Sequence, residues 1–537
     1  MTETQKSALL SVFHKDGIVE FARSLIDLGW TLYASGGTAK TLFAANIPVI
    51  DVATIVGGKA ILGHRVVTLS REVHAGLLAT ETDADIAELE ALGVPRIDLV
   101  CVDLYPLKQE ITKPEIDRES VIEKTDIGGP TMLRSAAKGR RIVICDPNDR
   151  ERVISWLRAG RPDEDALITE LAAKTEFVVA DYCLASAIYH GNGDYDGMMG
   201  RRVATFRYGE NGYQTPAEQY AYDTGDPLAL SRFTLIEGGG LSFNNGCDGD
   251  RLLQIVTHIA ATFDVNRSYV PRIAIGVKHG NPCGVGIGMT AVDAIQKMVM
   301  GDPLAIFGGI IMVNFEIGKD EAVALLRHGM PDGKRRLIDG VFASAFSDEA
   351  RDLLRRKEGK CNLLANPHLT RLNRDSLDTE PIRRPVRNGH LTQPNYTFIL
   401  DLNDPDIVKY GVATREQEQA MLLAKAICDT SNSNTITLCT DRMLVGNGVG
   451  QQARVYAAEL AVERAKKSGH QTEGSVAASD SFFPFEDGVE VLHAAGVTAI
   501  ISTSASVNDQ KVIDYCKKHN VVLYLIPDKK GRGFFNH

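Results

Sequence analysis

The sequence of 537 residues lacks the features that mark several large classes of protein. Its nine cysteines are scattered and form no Cys-x-x-Cys pair, which argues against a disulfide framework or a zinc ribbon. No apolar run reaches the roughly 18 residues that a membrane span needs. The first residues also lack an apolar signal core. We therefore expect a cytoplasmic protein with reduced thiols and no membrane association.

The chain also lacks a net positive charge. The chain carries 59 Lys and Arg against 69 Asp and Glu, a formal net charge of −10, so nucleic acid is not an expected partner. Any ligand that bears phosphate must then be held by local groups. Hydrophobic residues make up 44% of the chain, and its length favours several domains with buried cores.

What the chain does contain is a regular alternation of strand-like and helical segments, which predicts an α/β fold. In residues 1–200 the strand-like runs include "ALLSVF", "WTLYAS" and "RVVTLS" (65–70), which indicates a mostly parallel sheet. The glycine-rich segment 191–205 predicts a domain boundary near residue 200. Residues 201–537 also alternate, and a weak internal repeat predicts two lobes, about 201–350 and 401–537, joined by a connecting segment.

Candidate anion-binding residues follow the first two predicted strands. "SGGT" places Ser35, Gly36, Gly37 and Thr38 between a strand and a helix, where bare backbone N–H groups can hold an anion. A tight turn with no ligand is an equally good interpretation. Ser11 and Lys15 end the first strand, and ligands of open α/β sheets bind at the carboxyl ends of strands. We expect both loops to open on one crevice.

Two further segments of the first half carry polar residues suited to catalysis. "VDLYP" contains Tyr105, and "DIGGPTMLRSAAK" contains Asp126 before a glycine turn and Lys138 at its end. Asp126 and Lys138 converge only if the intervening helix angles back. Taken singly, each residue is more typical of a helix cap or a solvated charge.

In this order and spacing, SGGT, LYP and DIGGPTMLRSAAK resemble the IMP cyclohydrolase domain of the AICAR transformylase/IMP cyclohydrolase family. The resemblance implies a methylglyoxal-synthase-like fold. It implies that Tyr105, Asp126 and Lys138 sit at the ring-closing centre. It also implies that the phosphoribosyl group is held by Ser11, Lys15, Ser35, Gly36, Gly37, Thr38, Arg65 and Thr68.

One segment departs from this family. The family reads Gly-Arg-Val-Lys-Thr-Leu-His-Pro, whereas residues 64–71 read "HRVVTLSR", with Val67, Ser70 and Arg71 in place of lysine, histidine and proline. Phe13 also stands where the family has a small polar residue. Valine can neither move a proton nor neutralise an oxyanion. Either the cyclohydrolase is impaired, or another group, for which Lys59 is a candidate, replaces the lysine.

The segment 276–288, "GVKHGNPCGVGIG", admits three interpretations. A zinc deaminase needs His-x-Glu and Pro-Cys-x-x-Cys, and neither is complete here. The P-loop pattern GxxxxGK[ST] is absent as well. A Lys278–His279 pair at a strand end remains, followed by an expected glycine-rich turn around Pro282 and Cys283. Alone, such a pair is more often a solvated strand end than a catalytic one.

The segment "VKHGNPCG" resembles the transformylase block of the same family almost residue for residue. Further blocks agree in order, so the resemblance covers essentially the whole chain: RYGEN, LSFNN, DPLAIFGGII, SNSN, VGNGVGQQARV, ASDSFFPFEDG and GRGFFNH. The resemblance implies two lobes related to the cytidine-deaminase fold, without zinc. It also implies a homodimer with sites built across the interface.

The implied reaction is transfer of a formyl group from 10-formyltetrahydrofolate, the cosubstrate, to AICAR, giving FAICAR that is cyclised to IMP. His279 is suited to the proton step, Lys278 supplies positive charge, and Asn434 offers a donor to the formyl oxygen. The resemblance assigns substrate contacts to Arg207, Tyr208, Phe307, Gly308, Gly450, Gln451, Arg454, Asp480, Phe482 and Arg532. No metal is required for catalysis, although a structural monovalent cation is possible.

Two alternatives remain open. In the first, the chain is a transformylase only, with an impaired N-terminal domain. In the second, it is a non-catalytic nucleotide-binding protein. Retention of Lys278, His279 and Asn434 argues against the second, because binding alone does not require them.

Overall fold

The computed structural model describes residues 5–62, 65–222 and 224–535, which form two compact units divided between Met199 and Gly200. The first unit contains a five-stranded parallel sheet of order β3-β2-β1-β4-β5. Its strands are β1 (Ser7–Val12), β2 (Thr31–Ala34), β3 (Ile50–Asp51), β4 (Leu99–Asp103) and β5 (Ile142–Ile144). Its helices are α1 (Ile18–Asp27), α2 (Gly36–Ala44), α3 (Arg71–Leu78), α4 (Asp83–Leu92), α5 (Leu107–Ile111), α6 (Arg118–Glu123), α7 (Gly128–Lys138), α8 (Asp149–Arg158) and α9 (Glu164–Gly191).

This arrangement follows from the apolar pattern of the elements. Strands β1 and β4 are buried along most of their length, as expected for central strands of a parallel sheet that is covered on both faces. Helix α1 buries Ile18, Phe21 and Leu25 on one stripe against this core. The carboxyl ends of β1, β2 and β4 lie at one edge of the sheet, which is where the predicted anion loops begin.

The second unit is built on one mixed sheet of twelve strands, with the order β16-β21-β20-β19-β17-β18-β10-β9-β11-β12-β13-β8. Its strands are β8 (Thr234–Glu237), β9 (Arg272–Lys278), β10 (Asn281–Gly288), β11 (Ile310–Val313), β12 (Gly340–Ala343), β13 (Asn362–Ala365), β16 (Val408–Tyr410), β17 (Ile436–Thr440), β18 (Met443–Gly448), β19 (Val476–Ser479), β20 (Ala499–Thr503) and β21 (Val522–Ile526). Two separate ribbons pair β6 (Arg201–Phe206) with β7 (Ala217–Ala221) and β14 (Ile382–Val386) with β15 (Gly389–Gln393). The helices are α10 (Phe243–Arg267), α11 (Ala291–Gly301), α12 (Lys319–Arg327), α13 (Asp348–Leu354), α14 (Arg415–Cys428), α15 (Arg454–Lys467), α16 (Asp487–Ala494), α17 (Asp509–Lys518) and α18 (Asp528–Gly531).

The two halves of the large sheet repeat one topology. Each half runs helix, antiparallel hairpin, helix: α10, β9, β10 and α11 in one half, and α14, β17, β18 and α15 in the other. The halves join where β10 pairs antiparallel with β18, with Gly286 opposite Met443. The long helices α10 and α14 supply much of the buried core shared by both halves.

The structure corrects three sequence-based expectations. The expected turn around Pro282 and Cys283 is the start of strand β10, because the reversal occurs two residues earlier, at His279 and Gly280. The predicted strand 65–70 is a loop with a single bridge from Val66 to Ile61. The predicted connecting segment contains β13, a strand of the first lobe's sheet, so that lobe extends beyond residue 350.

Candidate active sites

At the carboxyl edge of the first sheet, the loops after β1 and β2 are joined by hydrogen bonds. The hydroxyl groups of Ser11 and Ser35 are 2.8 Å apart. The hydroxyl group of Thr38 is buried, accepts a hydrogen bond from the Val12 backbone N–H and donates one back to the Val12 carbonyl oxygen. Ser35 precedes the first turn of α2, whose early N–H groups lack helical acceptors. The structure therefore brings Ser11, Ser35 and Thr38 into one crevice.

Lys15 contributes a cation to the same crevice. Its Nζ donates to the carbonyl oxygens of Phe13 (2.9 Å) and Val12, and its side chain lies beside Gly37. A β-carbon at Gly37 would be 3.7 Å from the Lys15 Cε atom. Burial lowers the pKa of Lys15, an effect that the negative charge of Asp103 opposes. Gly36 has a positive φ of 47°, which favours glycine at the start of α2.

A second group of residues lies where β4 ends and α7 begins. The Asp126 carboxylate accepts a 2.9 Å hydrogen bond from the Gly129 N–H, and the Asp126 N–H donates to the Tyr182 hydroxyl oxygen over 2.7 Å. Burial raises the pKa of Asp126 despite these backbone hydrogen bonds. Burial and the charge of Asp126 both raise the pKa of the Tyr105 phenol, so Tyr105 remains a neutral hydrogen-bond donor.

The divergent segment 64–71 has a structural role at several positions. Val67 packs against the hydrophobic core, and the Ser70 hydroxyl caps α3 by accepting a hydrogen bond from the Val73 N–H at 3.1 Å. Thr68 is buried beside the start of α7, where a β-carbon on Gly128 would be 2.9 Å from the Thr68 hydroxyl oxygen. Arg65 forms an exposed ion pair with Glu123. His64 lies outside the described residues.

The structure does not bring Lys138 to the Asp126 centre. Helix α7 runs unbroken from Gly128 to Lys138, which separates its ends by about 15 Å. Lys138 lines a surface concavity with Lys6, Trp30 and Arg141, which precede strands at the opposite edge of the sheet. Lys59 is exposed, and no described contact joins it to Tyr105 or Asp126.

In the second unit, the β9–β10 hairpin presents Lys278 and His279. His279 has a φ of 52° and Gly280 a φ of 72°, the two positive values that a tight two-residue reversal requires. The Gly280 N–H donates to the Asp248 carboxylate on α10 over 2.7 Å. Burial raises the pKa of Asp248, which also interacts electrostatically with His279. The sharp turn thus anchors the hairpin tip that carries His279 to the Asp248 carboxylate.

Phe307 and Gly308 lie next to this hairpin. The Lys278 Nζ donates to the Phe307 carbonyl oxygen over 2.8 Å. The Phe307 side chain is exposed, and Gly308 has a φ of 72° while its N–H donates to the Leu337 carbonyl oxygen. The Phe307 carbonyl group fixes the Lys278 ammonium. Because Lys278 and His279 are adjacent in sequence, the cation and the imidazole lie at the tip of the same hairpin.

Asn434 is held by a buried network in the other half of the sheet. The Arg454 guanidinium donates to Asn434 Oδ1 over 2.8 Å and forms an ion pair with Asp480, whose side chain is fully buried. The Asn434 Nδ2 atom donates to the Gln451 carbonyl oxygen over 2.8 Å. Asp480 also accepts hydrogen bonds from the Ser433 hydroxyl and the Thr435 N–H. The amide is therefore fixed in one orientation.

Asn432 connects the two halves of this site. Its N–H lies 3.4 Å from Asn281 Oδ1 on β10, and its carbonyl oxygen accepts a 2.8 Å hydrogen bond from the Gly450 N–H. The Arg251 guanidinium donates to Asn432 Oδ1 over 3.2 Å. These contacts join the hairpin that carries His279 to the loop that carries Gly450. No described contact joins the His279 and Asn434 side chains directly.

Several of the remaining predicted substrate contacts are aromatic or basic residues. The Arg532 guanidinium lies 6.0 Å from the Phe482 ring centroid and pairs with Asp528. Phe483, by contrast, is a buried core residue. Arg207 and Tyr208 are exposed in the loop after β6. That loop contacts the first turn of α10 through the Glu210 carbonyl oxygen, which accepts from Asn244.

Sequence reasoning missed four residues of these sites. Asp248 and Arg251 lie just after the "LSFNN" block, and helical spacing from that block could have indicated them. The pair His14 and Asp103 adjoins Lys15 and Tyr105 in sequence, and its signal was a histidine and a carboxylate at the ends of two predicted strands. Within the described residues, no cluster of three or more His, Cys, Asp or Glu side chains is placed to hold a metal ion.

The fold and these groups define an α/β protein of two units, each with polar side chains suited to proton transfer at strand ends. A sequence model of the AICARFT/IMPCHase bienzyme family matches residues 136–464, and one of the MGS-like domain matches residues 17–131. The chain belongs to the AICARFT/IMPCHase bienzyme family. Among the residues that the structure describes, no helix is long and apolar enough to cross a membrane.

Curated relatives agree over nearly the full length. The chain is similar to the bifunctional purine biosynthesis protein PurH of Lysinibacillus sphaericus, with 35% identity over 96% of this chain and 98% of that protein. It is equally similar, at 35%, to PurH of Anoxybacillus flavithermus over 97% and 98% of the two chains. The chain is also similar to a solved structure titled crystal structure of ForH, with 35% identity over 36% of this chain and all of that one, at a TM-score of 0.33.

Proposed function

We propose that this chain is a bifunctional enzyme of de novo purine biosynthesis. Its second unit transfers a formyl group from 10-formyltetrahydrofolate to AICAR, and its first unit cyclises the resulting FAICAR to IMP. The family match and the near-full-length similarity to PurH proteins support both activities. One observation carries the proposal: Asn432 joins the hairpin that bears Lys278 and His279 to the segment that bears Asn434, whose amide is fixed by Arg454.

Formyl transfer requires a general base for the amine and a hydrogen-bond donor for the formyl oxygen. The AICAR amine is a weak nucleophile because its lone pair is delocalised into the ring system, so a base must take its proton as it attacks. His279 takes that role, with Asp248 and Lys278 setting its electrostatic surroundings. Negative charge develops on the formyl oxygen, and Asn434 Nδ2 is positioned as a preorganised donor. Arg454 and Asp480 orient that amide.

In the first unit, Ser11, Lys15, Ser35, Gly36, Gly37 and Thr38 hold the phosphoribosyl group. The start of α2 and the Lys15 ammonium together favour an anion there. Arg65 reaches the same ligand by leaving its exposed pair with Glu123, which costs little because surface ion pairs are weak. Tyr105 and Asp126 lie near the ring-closing atoms, and burial raises the pKa of both groups.

Three finer statements belong to the proposal. Each half of the large sheet is a cytidine-deaminase-like lobe, an assignment supported by the repeated helix–hairpin–helix order and by the strand order. Counted from β9 and from β17, that order is 2-1-3-4-5 in each half, with β8 and β16 added at the outer edges. The chain acts as a homodimer. Its substrates are AICAR, FAICAR and the folate, with no catalytic metal and with Arg207, Tyr208, Phe307, Gly308, Gly450, Gln451, Phe482 and Arg532 as further substrate contacts.

A second candidate function is formyl transfer alone. The observation that favours it is Val67, which packs in the core where a proton-transferring lysine is otherwise expected. To distinguish the two, the protein is incubated with AICAR and 10-formyltetrahydrofolate, and then with FAICAR alone, and the products are separated by chromatography. We expect IMP in both incubations. Accumulation of FAICAR without IMP would establish the transformylase-only function, and no product at all would contradict the proposal.

A further inference from the structure

We infer that His14, oriented by Asp103, is the proton-transferring group of the cyclohydrolase site in this chain. The inference rests on the proposed cyclisation of FAICAR and names a residue for it. The His14 Nδ1 atom is 2.9 Å from Asp103 Oδ2, and the His14 backbone N–H donates to the same oxygen over 2.8 Å. Two hydrogen bonds to one carboxylate oxygen fix both the backbone and the ring.

The position of the pair places it in the crevice. Val12 and Asp103 are register partners at the ends of the neighbouring strands β1 and β4. His14 directly precedes Lys15, whose ammonium lies beside the glycine loop at the start of α2. The parallel strands of an open sheet present their ligand at this edge. His14 thus occupies the same edge as the phosphoribosyl-binding residues.

Aromatic contacts extend the cluster toward Tyr105 and Asp126. The Phe13 ring is 5.0 Å from the His14 ring and 5.4 Å from the Tyr105 ring, measured between centroids. The Lys124 ammonium lies 5.1 Å from the Phe13 centroid. Tyr105 in turn interacts electrostatically with Asp126. The Phe13 ring therefore contacts both the His14 imidazole and the Tyr105 phenol.

The hydrogen bond to Asp103 selects the tautomer. A carboxylate can only accept, so Nδ1 carries the proton and Nε2 of the neutral ring has a free lone pair. The His14 side chain is 49% exposed, which leaves that nitrogen accessible to a ligand. Asp103 is a positioning residue: it acts through the imidazole and stabilises the imidazolium when it forms.

The step balances with one substrate and no co-reactant. The carboxamide nitrogen of FAICAR forms a C–N bond to the formyl carbon, and its proton passes to His14 Nε2. His14 then delivers that proton to the formyl oxygen, giving a hydroxyl group on the new tetrahedral carbon. The C–O bond breaks as the hydroxyl takes the second proton, from the former formamide nitrogen, and leaves as water. The other candidates fit less well, because Lys138 lies at the far end of α7 and no described contact joins the exposed Lys59 to Tyr105 or Asp126.

The test uses the full-length protein with purified FAICAR. His14→Ala is expected to lower kcat for cyclisation about 100-fold or more with little change in KM, the loss typical of a missing general acid–base group. Added imidazole is expected to restore part of that kcat, which a merely structural role would not allow. Asp103→Asn should lower kcat to a smaller extent. His190→Ala, an exposed histidine on α9, is the matched control.

Formyl transfer from 10-formyltetrahydrofolate to AICAR provides the internal reference, because it belongs to the second unit and should be unchanged in all three variants. A His14→Ala protein that cyclises FAICAR at the wild-type kcat overturns the inference. A loss that imidazole does not restore, in a protein with unchanged thermal denaturation, also overturns it. If the wild-type protein itself does not cyclise FAICAR, the proposed cyclohydrolase function fails instead, and the two failures are distinguished by that measurement.

Discussion

The guanidinium of Arg454 donates a 2.8 Å hydrogen bond to the side-chain amide oxygen of Asn434. The same guanidinium pairs with Asp480, whose side chain has no solvent exposure. Arg454 thus connects the Asn434 amide, which is proposed to contact the formyl group, with the buried Asp480 carboxylate. The same side chain is therefore expected to affect both the rate of formyl transfer and the stability of the second unit.

Replacing Arg454 with Met tests that coupling. We expect formyl transfer to be lost and the free energy of unfolding to fall by about 3–5 kcal/mol, because the buried Asp480 carboxylate loses its charged partner. Chemical denaturation and an activity assay measure the two effects. The control is Lys467→Met on the same helix, where an exposed pair with Glu463 should be worth about 0–1 kcal/mol. Equal stabilities of the two variants would contradict this account.

His279 can be removed without disturbing its turn. Asn tolerates the left-handed conformation that His279 adopts at φ 52°, so His279→Asn should fold normally. Formyl transfer should fall about 10²- to 10⁴-fold because the general base is gone, whereas cyclisation of supplied FAICAR should be unchanged. Parallel assays of both reactions, with thermal denaturation as the folding control, provide the check. Retained formyl transfer would remove His279 from the mechanism.

The glycines of β10 and β18 allow the following helices to pack directly on the strands. A β-carbon at Gly448 would overlap the Ala457 carbonyl oxygen of α15, so Gly448→Ala should destabilise the second unit by about 1–3 kcal/mol or more. Gly389→Ala on the exposed ribbon meets no atom within 4 Å and serves as the control. Denaturant unfolding of both variants is the measurement, and a neutral Gly448→Ala would show that the helix is not held against the strand.

Acid should destabilise the first unit partly through His74. Burial lowers the pKa of His74 below its usual value of 6.5, and its Nδ1 lies 2.9 Å from the Ser135 hydroxyl oxygen. The unfolded chain therefore binds a proton more readily, so stability falls as the pH drops below about 6.5. We expect thermal denaturation of His74→Asn to depend less on pH in that range than wild type does. Parallel curves for the two proteins would exclude this contribution.

The parallel sheet of the first unit could be predicted from the sequence because its strands are short apolar runs between amphipathic helices. The segment 65–70 was wrongly predicted as a strand, because its apolar residues also suit a loop that packs on a core, as Val67 does. Pattern alone does not distinguish these cases. Whether such a segment forms a strand depends on whether a neighbouring strand is free to pair with it, and the neighbouring strand is set by distant parts of the chain.

Two other departures have different causes. The glycines after Pro282 suggested a turn, but in the structure they make room for α11 and leave β10 extended. The local pattern of β10 does not reveal this close packing, because the packing depends on how α11, a separate element, folds back onto the strand. Lys138 was grouped with Asp126 by motif, although α7 places them at opposite ends. His14 and Asp103 were missed because their contact joins strands that are distant in sequence.

The most direct test of the central claim follows the formyl carbon itself. The protein is incubated with AICAR and 10-formyltetrahydrofolate labelled with carbon-13 in the formyl group, and the label is traced by NMR. Our account predicts that the label appears first in the formamide group of FAICAR and then at the ring carbon of IMP that closure creates. A label that remains in the folate, while the protein is folded and both substrates are present, would contradict it.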